Sequence, residues 1–262
     1  MSYQTLEVSE EDSVIIARLN RPDRRNALTP LVIDELIGLM DDLSTRSSGV
    51  VILTGAGTAF CAGLDLEHLQ SLTTQSPQQQ LEDSERIARL FRTLYDLPLP
   101  TIAAVNGHAI AGGMGLATIC DFTFAVPQAK FGYTEARIGF VPAIVSSFLV
   151  LQIGEKKTRD LLLTARLITA DEAKTLGLVN EVIDGPELLT GAQQLARRLL
   201  QNSPESLRAT KRLLSSQTKE RLDHELKAAI EWNAKARTTP DFHEGIASFL
   251  EKRTPVWPSR KS

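Results

Sequence analysis

The sequence has few of the residues that build metal sites, disulfide frameworks or nucleic-acid surfaces. Its 262 residues include two cysteines and four histidines, and neither set has the spacing of a metal motif or a disulfide scaffold. Aromatic residues make up 5% of the chain, and 32 acidic residues outnumber 29 basic ones. The net charge of -3 provides no positive field for nucleic acid or an anionic membrane. We therefore expect no metal, no nucleic-acid partner and no membrane association.

Long apolar runs and targeting signals are also scarce. The longest uncharged stretch, residues 97–120, contains two prolines and four glycines. It therefore indicates a buried strand, a turn and a buried helix rather than a membrane span. The first twelve residues have neither an apolar core nor a basic lead, so they do not resemble a signal peptide. We expect a reduced, cytoplasmic protein.

Apolar strands alternate with amphipathic helices over about the first 185 residues, which is the α/β pattern with crossover connections. Thr29 followed by Pro30 predicts a helix start. The polar residues 73–80 predict a mobile loop, and the rest of the chain is predicted to be mostly helical. Strands are predicted at residues 6–7, 14–19, 50–53, 101–105 and 122–126.

Two glycine-bearing loops that follow buried strands carry the strongest chemical signal. They are residues 59–66 (AFCAGLDL) and residues 106–116 (NGHAIAGGMGL). A glycine pair at a helix start lets a ligand oxygen approach backbone N–H groups, and the helix dipole adds to the attraction. One N–H group from each loop would form an oxyanion hole for a carbonyl that becomes an enolate. The same glycines would equally allow close packing of a helix against a strand. The pattern alone does not decide between an oxyanion hole and close packing.

Other catalytic motifs do not fit. Gly55-Ala56-Gly57 follows an apolar strand, but Phe60 stands where a dinucleotide-binding motif needs its third glycine. Neither a nucleophile elbow nor a Walker loop is present. Cys61 lies in an apolar loop, which is typical of a small buried side chain rather than a nucleophile.

Together with three further segments, these loops resemble the crotonase, or enoyl-CoA hydratase/isomerase, superfamily. The further segments are RPDRRNAL at 21–28, FGYTEARIGFVP at 131–142, and a tail that carries Glu244-Gly245 and Glu251-Lys252-Arg253. The resemblance covers essentially the whole chain. It implies an α/β fold in which a spiral of β-β-α turns, residues 1–200, precedes a C-terminal helical trimerisation region, residues 201–262.

The resemblance also implies a chemistry and a set of site residues. Substrates would be coenzyme A thioesters with no separate cofactor, and the protein would be a homotrimer or a dimer of trimers. The oxyanion donors would be the backbone N–H groups of Leu64 and Gly112, and Glu135 would be the catalytic glutamate. Coenzyme A and substrate contacts would fall at Arg25, Ala27, Ala62, Asp65, Leu66 and Gly113.

The sequence departs from the family pattern at one catalytic position. Family hydratases use two glutamates, and Gly115 stands where the first would be. Residues 138–145 also differ from typical hydratases and look like members that act on 3-methylglutaconyl or hydroxymethylglutaryl thioesters, which share the glycine. We therefore expect a hydratase-type lyase, with a branched or carboxylated enoyl-CoA as the substrate. The alternatives are a Δ3-Δ2 enoyl-CoA isomerase that uses Glu135 alone, and a non-catalytic acyl-CoA-binding or RNA-binding member of the fold.

Three further side chains are weaker candidates. His108 could carry a proton, Tyr133 could hydrogen-bond an acyl group, and His243 could approach the coenzyme of a neighbouring subunit. A packed or solvated role is the commoner one for the two histidines, and core packing is as good an explanation for the tyrosine.

Overall fold

The strands of the protein form two sheets. In the computed structural model, which describes residues 3–261, ten strands form a six-stranded and a four-stranded sheet. The strands are β1 Leu6–Glu11, β2 Val14–Leu19, β3 Val50–Gly55, β4 Ala59–Cys61, β5 Thr101–Val105, β6 His108–Ile110, β7 Phe122–Ala125, β8 Lys130–Gly132, β9 Ile168–Thr169 and β10 Glu181–Val182.

Nine α-helices of the described residues cover these sheets. They are α1 Pro30–Ser44, α2 Leu66–Leu72, α3 Pro77–Asp96, α4 Gly112–Ile119, α5 Ala143–Thr164, α6 Ala170–Leu176, α7 Gly185–Leu200, α8 Pro204–Ala236 and α9 Pro240–Leu250. Short 3-10 turns occupy Pro22–Arg24, Glu135–Ile138 and Pro258–Lys261. None of the helices in the described part of the chain is long and apolar enough to cross a membrane.

The chain alternates between the two sheets. The large sheet has the order β1-β2-β3-β5-β7-β10, and the small sheet has the order β4-β6-β8-β9. Strand pairs β3–β4, β5–β6 and β7–β8 each contribute one strand to each sheet and then lead to helices. This arrangement confirms the predicted spiral of β-β-α turns. Every residue of β3 and β5 is buried, as expected for parallel strands covered on both faces.

The small sheet brings three predicted catalytic residues to one edge. Its strands β4, β6 and β8 are parallel neighbours. Leu64, Gly112 and Glu135 follow the last residues of these strands by two or three positions. Because the carboxyl ends of parallel strands meet at the same edge of a sheet, the three residues converge although they are distant in sequence.

Three local predictions are wrong. The two glycine-bearing segments are not loops throughout, because Ala59–Cys61 and His108–Ile110 pair with each other as β4 and β6. Strand β1 continues to Glu11 instead of ending at residue 7, because it pairs with β2 over its whole length up to the pair Glu11–Val14. Helix α3 begins at Pro77, so only the first part of the predicted loop 73–80 is irregular. The cause is a reciprocal capping box, in which Ser76 accepts a hydrogen bond from Gln79 N–H and the Gln79 side chain bonds back to Ser76.

The tail helices pack on the rest of the chain. Helix α8 lies against α3 and α5, and it buries Leu222 and Leu226. Ser203 caps its first turn by accepting a hydrogen bond from Ser206 N–H. The division at residue 200 therefore falls just before a helix that shares the main core, and an independent trimerisation region stays a prediction.

Candidate active site

Glu135 begins the 3-10 turn after β8 and is only 8% exposed. Its Oε2 atom forms no hydrogen bond with any residue of the described chain. Burial disfavours the charged form, and it raises the pKa of Glu135 from 4.5 to about 7. A carboxyl group that titrates near neutrality is able both to accept and to release a proton, which is the property of a general acid–base catalyst.

The backbone at Leu64 is oriented by an isolated bridge to Leu28. In this bridge Leu28 N–H donates to Gly63 O at 2.8 Å, and Asp65 N–H donates to Leu28 O at 2.9 Å. In a parallel bridge of this kind, the N–H and C=O of the middle residue point away from the partner strand. The Leu64 N–H therefore points away from Leu28 and donates to no other described residue.

Gly112 supplies a second N–H group without an acceptor in the described chain. It is the first residue of α4, where no intrahelical carbonyl is available. The preceding Ala111 has φ 52° and ψ −124°, and its own N–H donates to Gly132 O at 2.7 Å. An alanine in this conformation costs about 1–3 kcal/mol, and it turns the chain sharply from β6 into the helix.

Gly63 lets the two loops approach each other. A Cβ atom at Gly63 would lie 2.9 Å from Ala111 Cβ and 2.9 Å from Ile110 O. Any larger residue would therefore separate the loop of Leu64 from the start of α4. The two free N–H groups consequently belong to one wall of a single cavity.

A cavity of about 600 Å³ joins the predicted residues. One part of its lining is apolar and includes Leu28, Ile87, Phe91, Phe140 and Val145. It is lined by eight of the nine predicted site residues, namely Arg25, Ala27, Ala62, Leu64, Asp65, Leu66, Gly112 and Glu135.

Gly113 is the predicted residue that does not line this cavity. A Cβ atom there would lie 2.2 Å from Cys61 O, so the glycine permits close packing of α4 against the end of β4. At Gly112, by contrast, the nearest atom to an added Cβ is Leu28 Cδ1 at 3.4 Å. The two glycines therefore have different roles: Gly112 faces the cavity, and Gly113 allows the helix to pack against β4.

Charged side chains surround another part of the cavity. Asp65 caps α2, because its Oδ1 accepts from Glu67 N–H at 3.0 Å, and its Oδ2 lies 3.5 Å from Arg21 Nη1. Arg24 is paired with Glu67 at 2.7 Å. The exposed Arg25 guanidinium has no ion pair or side-chain hydrogen bond with residues 3–261, which leaves it available to an anionic ligand.

Gly115 has no room for the second glutamate of family hydratases. A Cβ atom there would lie 2.8 Å from Val145 Cγ1 and 3.0 Å from Phe91 Cε1. Apolar side chains thus fill the space that a second acid would need. The other carboxyl groups among the described lining residues, Asp23, Asp65 and Glu67, belong to the charged part.

The three weaker candidates lie outside the cavity lining. His108 is exposed, and its Nδ1 accepts a hydrogen bond from Lys130 N–H at 3.2 Å. Tyr133 is buried, and its hydroxyl lies 3.5 Å from the Thr118 hydroxyl. His243 Nε2 lies 3.2 Å from Arg237 O. Each of them has a partner within the fold.

Asn233 lines the cavity from α8, and no sequence motif marks it. It is 4% exposed. The one sequence signal for Asn233 is its position one helical turn before Arg237. That spacing of polar residues is common on solvated helices and does not indicate a site. We found no group of histidine, cysteine, aspartate or glutamate side chains in the described residues that could hold a metal ion.

Comparisons with known proteins point to one family. The family described as enoyl-CoA hydratase/isomerase matches residues 9–260. A Thermus thermophilus protein that is named as an enoyl-CoA hydratase is 45% identical over 94% of this chain and 98% of its own length. The 2,3-dehydroadipyl-CoA hydratase of Escherichia coli is 33% identical over 97% of this chain and 98% of its own. An enoyl-CoA hydratase/isomerase structure from Xanthobacter autotrophicus superposes with a TM-score of 0.89 at 28% identity, covering 95% of this chain and 94% of that one.

Proposed function

Because the chain belongs to the enoyl-CoA hydratase/isomerase family, we propose that it hydrates a branched or carboxylated enoyl-CoA thioester such as 3-methylglutaconyl-CoA. The observation that carries the proposal is the Glu135 carboxyl, which is buried, lines the cavity and has an Oε2 atom without a hydrogen-bond partner in the described chain. Two backbone N–H groups without acceptors, those of Leu64 and Gly112, line the same cavity.

The two N–H groups hold the thioester oxygen. When a nucleophile adds to Cβ, negative charge develops on this oxygen, and donors that are already in place stabilise it without reorganisation. Loss of one such donor commonly lowers kcat by about 10²–10³. Because the donors belong to the backbone, the Leu64 side chain takes no part in the chemistry.

Glu135 moves the proton. Its ionised carboxylate takes a proton from water while the water oxygen bonds to Cβ, which leaves an enolate on the thioester. The protonated Glu135 then delivers that proton to Cα, the enolate collapses to the thioester, and the carboxylate is regenerated. A pKa of about 7 supports both half-steps at neutral pH, since neither protonation state is strongly favoured.

The coenzyme A part of the substrate is assigned to the charged side of the cavity. The unpaired Arg25 guanidinium suits a phosphate group, and Ala27, Ala62 and Leu66 offer small or apolar contacts beside it. The Asp65 carboxylate caps α2, and its backbone N–H and C=O are bonded to Leu28 O and Leu69 N–H, so Asp65 would hold the loop in place beside the coenzyme.

A Δ3-Δ2 isomerase is the second candidate. It is favoured by Phe91 and Val145, which occupy the space of a second acid. Moving a proton between Cα and Cγ requires one carboxyl group, and the Glu135 Oε2 atom has no hydrogen-bond partner in the described chain.

Product analysis with a Glu135→Gln variant tests these functions. We expect the wild-type protein to convert crotonyl-CoA and 3-methylglutaconyl-CoA to 3-hydroxyacyl thioesters faster than it isomerises a 3-enoyl-CoA. The glutamine variant should lose about 10²–10⁴ in kcat with little change in acyl-CoA affinity. The matched control is Glu85→Gln, an exposed carboxyl on the same protein that should leave the rate unchanged.

Different results would select the alternatives. Formation of 2-enoyl products alone would assign the isomerase. A bound acyl-CoA that shows no exchange of its Cα protons in heavy water, together with unchanged behaviour of Glu135→Gln, would assign a non-catalytic binding protein.

A further inference from the structure

The Asn233 side chain has a defined orientation. Its Oδ1 accepts hydrogen bonds from Arg237 Nη2 at 2.8 Å and from Ser84 Oγ at 2.9 Å. An arginine side chain only donates, so the amide atom that faces Arg237 must be the oxygen. The amide nitrogen therefore faces the other way, and it donates no hydrogen bond to any described residue although Asn233 is 4% exposed and lines the cavity.

The residues behind Asn233 hold it in place. Arg237 is fully buried, and its Nη1 lies 2.7 Å from Asp83 Oδ2. Asp83 Oδ1 in turn lies 2.8 Å from His68 Nε2. Arg237 and Asp83 form an ion pair, and Asn233 presents a fixed and uncharged donor to the cavity.

Helix α3 contacts both Asn233 and the region of the oxyanion donors, so the spacing of its contact residues gives an approximate distance between the two. The Phe91 ring lies 3.8 Å from where a Cβ atom of Gly112 would be, and Ser84, the partner of Asn233, precedes Phe91 by seven residues. At about 1.5 Å per residue this spacing is roughly 10 Å along the helix. An acyl chain of about five or six carbons and one hydrogen bond together span a similar distance.

We propose that Asn233 selects acyl-CoA substrates whose acyl group carries an acceptor oxygen, from a hydroxyl or a carboxylate, about five or six carbons from the thioester. The inference rests on the proposed function, because it takes the Leu64 and Gly112 donors as the position of the thioester oxygen. The Asn233 N–H group faces the cavity, and a ligand that displaces water from it without offering an acceptor incurs a cost of about 1–3 kcal/mol. A substrate oxygen that accepts from Asn233 Nδ2 removes that cost, and an alkyl end of the same length does not.

Binding of three unreactive six-carbon thioesters tests the inference. They are hexanoyl-CoA, 6-hydroxyhexanoyl-CoA and adipyl-CoA, and their dissociation constants are measured by calorimetry. We expect the wild-type protein to bind at least one oxygen-bearing thioester roughly tenfold more tightly than hexanoyl-CoA. Comparison of 6-hydroxyhexanoyl-CoA with adipyl-CoA shows whether the cavity binds a hydroxyl or a carboxylate acceptor.

An Asn233→Asp variant separates recognition from structural support. Aspartate keeps the shape of the side chain and an oxygen for Arg237 and Ser84, but it replaces the donor with an acceptor. We expect this variant to lose the preference for the oxygen-bearing thioesters by about tenfold or more, while its hexanoyl-CoA affinity changes little. Its melting temperature should fall, because the new carboxylate adds a buried charge beside the Arg237–Asp83 pair. Asn233→Leu, which has no donor, should also lose the preference.

The outcomes distinguish this inference from the proposed function. An unchanged ratio of dissociation constants in Asn233→Asp, or equal binding of all three thioesters by the wild-type protein, would overturn the inference while leaving hydration of crotonyl-CoA intact. Failure of the wild-type protein to turn over any enoyl-CoA would overturn the proposed function, and the binding ratios would still decide the role of Asn233.

Discussion

At the scale of single residues, Glu135 links catalysis to stability. Its pKa is raised from 4.5 to about 7 by burial, so the folded state favours the neutral carboxyl. The free energy of unfolding is therefore unaffected by this group below about pH 4.5, and it falls as the pH rises toward 7. A shift of this size corresponds to roughly 3 kcal/mol once the group is fully ionised in both states.

Glu135→Gln should consequently stabilise the protein at high pH while it lowers kcat. We expect the variant to exceed the wild type in free energy of unfolding by up to about 3 kcal/mol at pH 8, and by much less at pH 5. Urea unfolding at both pH values, at one protein concentration, measures the difference. Wild-type kcat should rise with pH through about 7, because the first step needs the ionised carboxylate. A stability difference that is the same at both pH values would contradict the assigned cause.

The adjacent glycines Gly112 and Gly113 should respond differently to added side chains. Gly112→Val has space in the fold, since the nearest atom to the new Cβ is 3.4 Å away. It should remain folded and lose about 10²–10³ in kcat, because the branched side chain moves the thioester oxygen from the N–H group. Gly113→Ala places a Cβ 2.2 Å from Cys61 O and should lower the melting temperature. Circular dichroism and turnover measured on both variants check this contrast, and near-native turnover in Gly112→Val would place the oxyanion elsewhere.

Sequence alone could identify some of these residues and not others. Glu135, Leu64 and Gly112 lie in local motifs, and their roles follow from a family resemblance and from backbone chemistry. The division of labour between Gly112 and Gly113 depends on which one meets Cys61, and both stand at the same helix start. Asn233 escapes prediction because its burial depends on the packing of α8 against α3, where Ser84, 149 positions away, donates to its Oδ1.

At the scale of elements, helix boundaries followed local signals more closely than strand boundaries did. Thr29 caps α1 as predicted, with its hydroxyl accepting from Val32 N–H. The end of β1 could not be located in the same way, because the exposed residues before Glu11 are ordered by pairing with β2 rather than by their own propensity. The alternation of strands between two sheets likewise depends on tertiary contacts, and only the family resemblance indicated it.

Two helical glycines give a matched test of packing. Gly38 in α1 has nothing within 4 Å of an added Cβ, whereas a Cβ at Gly115 in α4 would lie 2.8 Å from Val145 Cγ1. Gly38→Ala should therefore stabilise the protein by about 0.5–1 kcal/mol through helix propensity. Gly115→Ala should destabilise it, by about 1–3 kcal/mol, because overpacking outweighs the same gain. Thermal unfolding of both variants shows whether each change raises or lowers the free energy of unfolding. Gly115→Glu should fail to raise the rate of hydration, because the same two side chains occupy the space that the new carboxyl needs. A Gly115→Ala variant more stable than the wild type would show that the Phe91 and Val145 side chains move aside at little cost.

At the scale of the whole molecule, the apolar stripes of the tail divide into two groups. Leu222, Leu226 and Ile246 are buried within the chain itself. Leu213 and Leu214 on α8 remain 60% and 57% exposed. Exposed apolar groups that lie side by side on one helix favour a subunit contact, in agreement with the trimer that the family resemblance implies.

We predict a trimer or a dimer of trimers in solution. Light scattering at micromolar concentration should give a mass of three or six chains of 28.8 kDa. The double variant Leu213→Glu, Leu214→Glu should shift the mass toward the monomer, because burying unpaired carboxylates at a contact is unfavourable. Leu163→Glu, at a leucine that is 75% exposed on α5, is the control and should leave the mass unchanged. A stable wild-type monomer would contradict the prediction.

The strained backbone at Ala111 has a consequence for laboratory evolution of this enzyme. Glycine at position 111 would adopt the same positive φ without strain, yet it would also allow the turn before Gly112 to relax into other conformations. A library selected only for survival at high temperature would therefore enrich changes at this turn that leave the N–H of Gly112 poorly aimed. Heat-tolerant clones should be ranked by turnover before they are ranked by melting temperature.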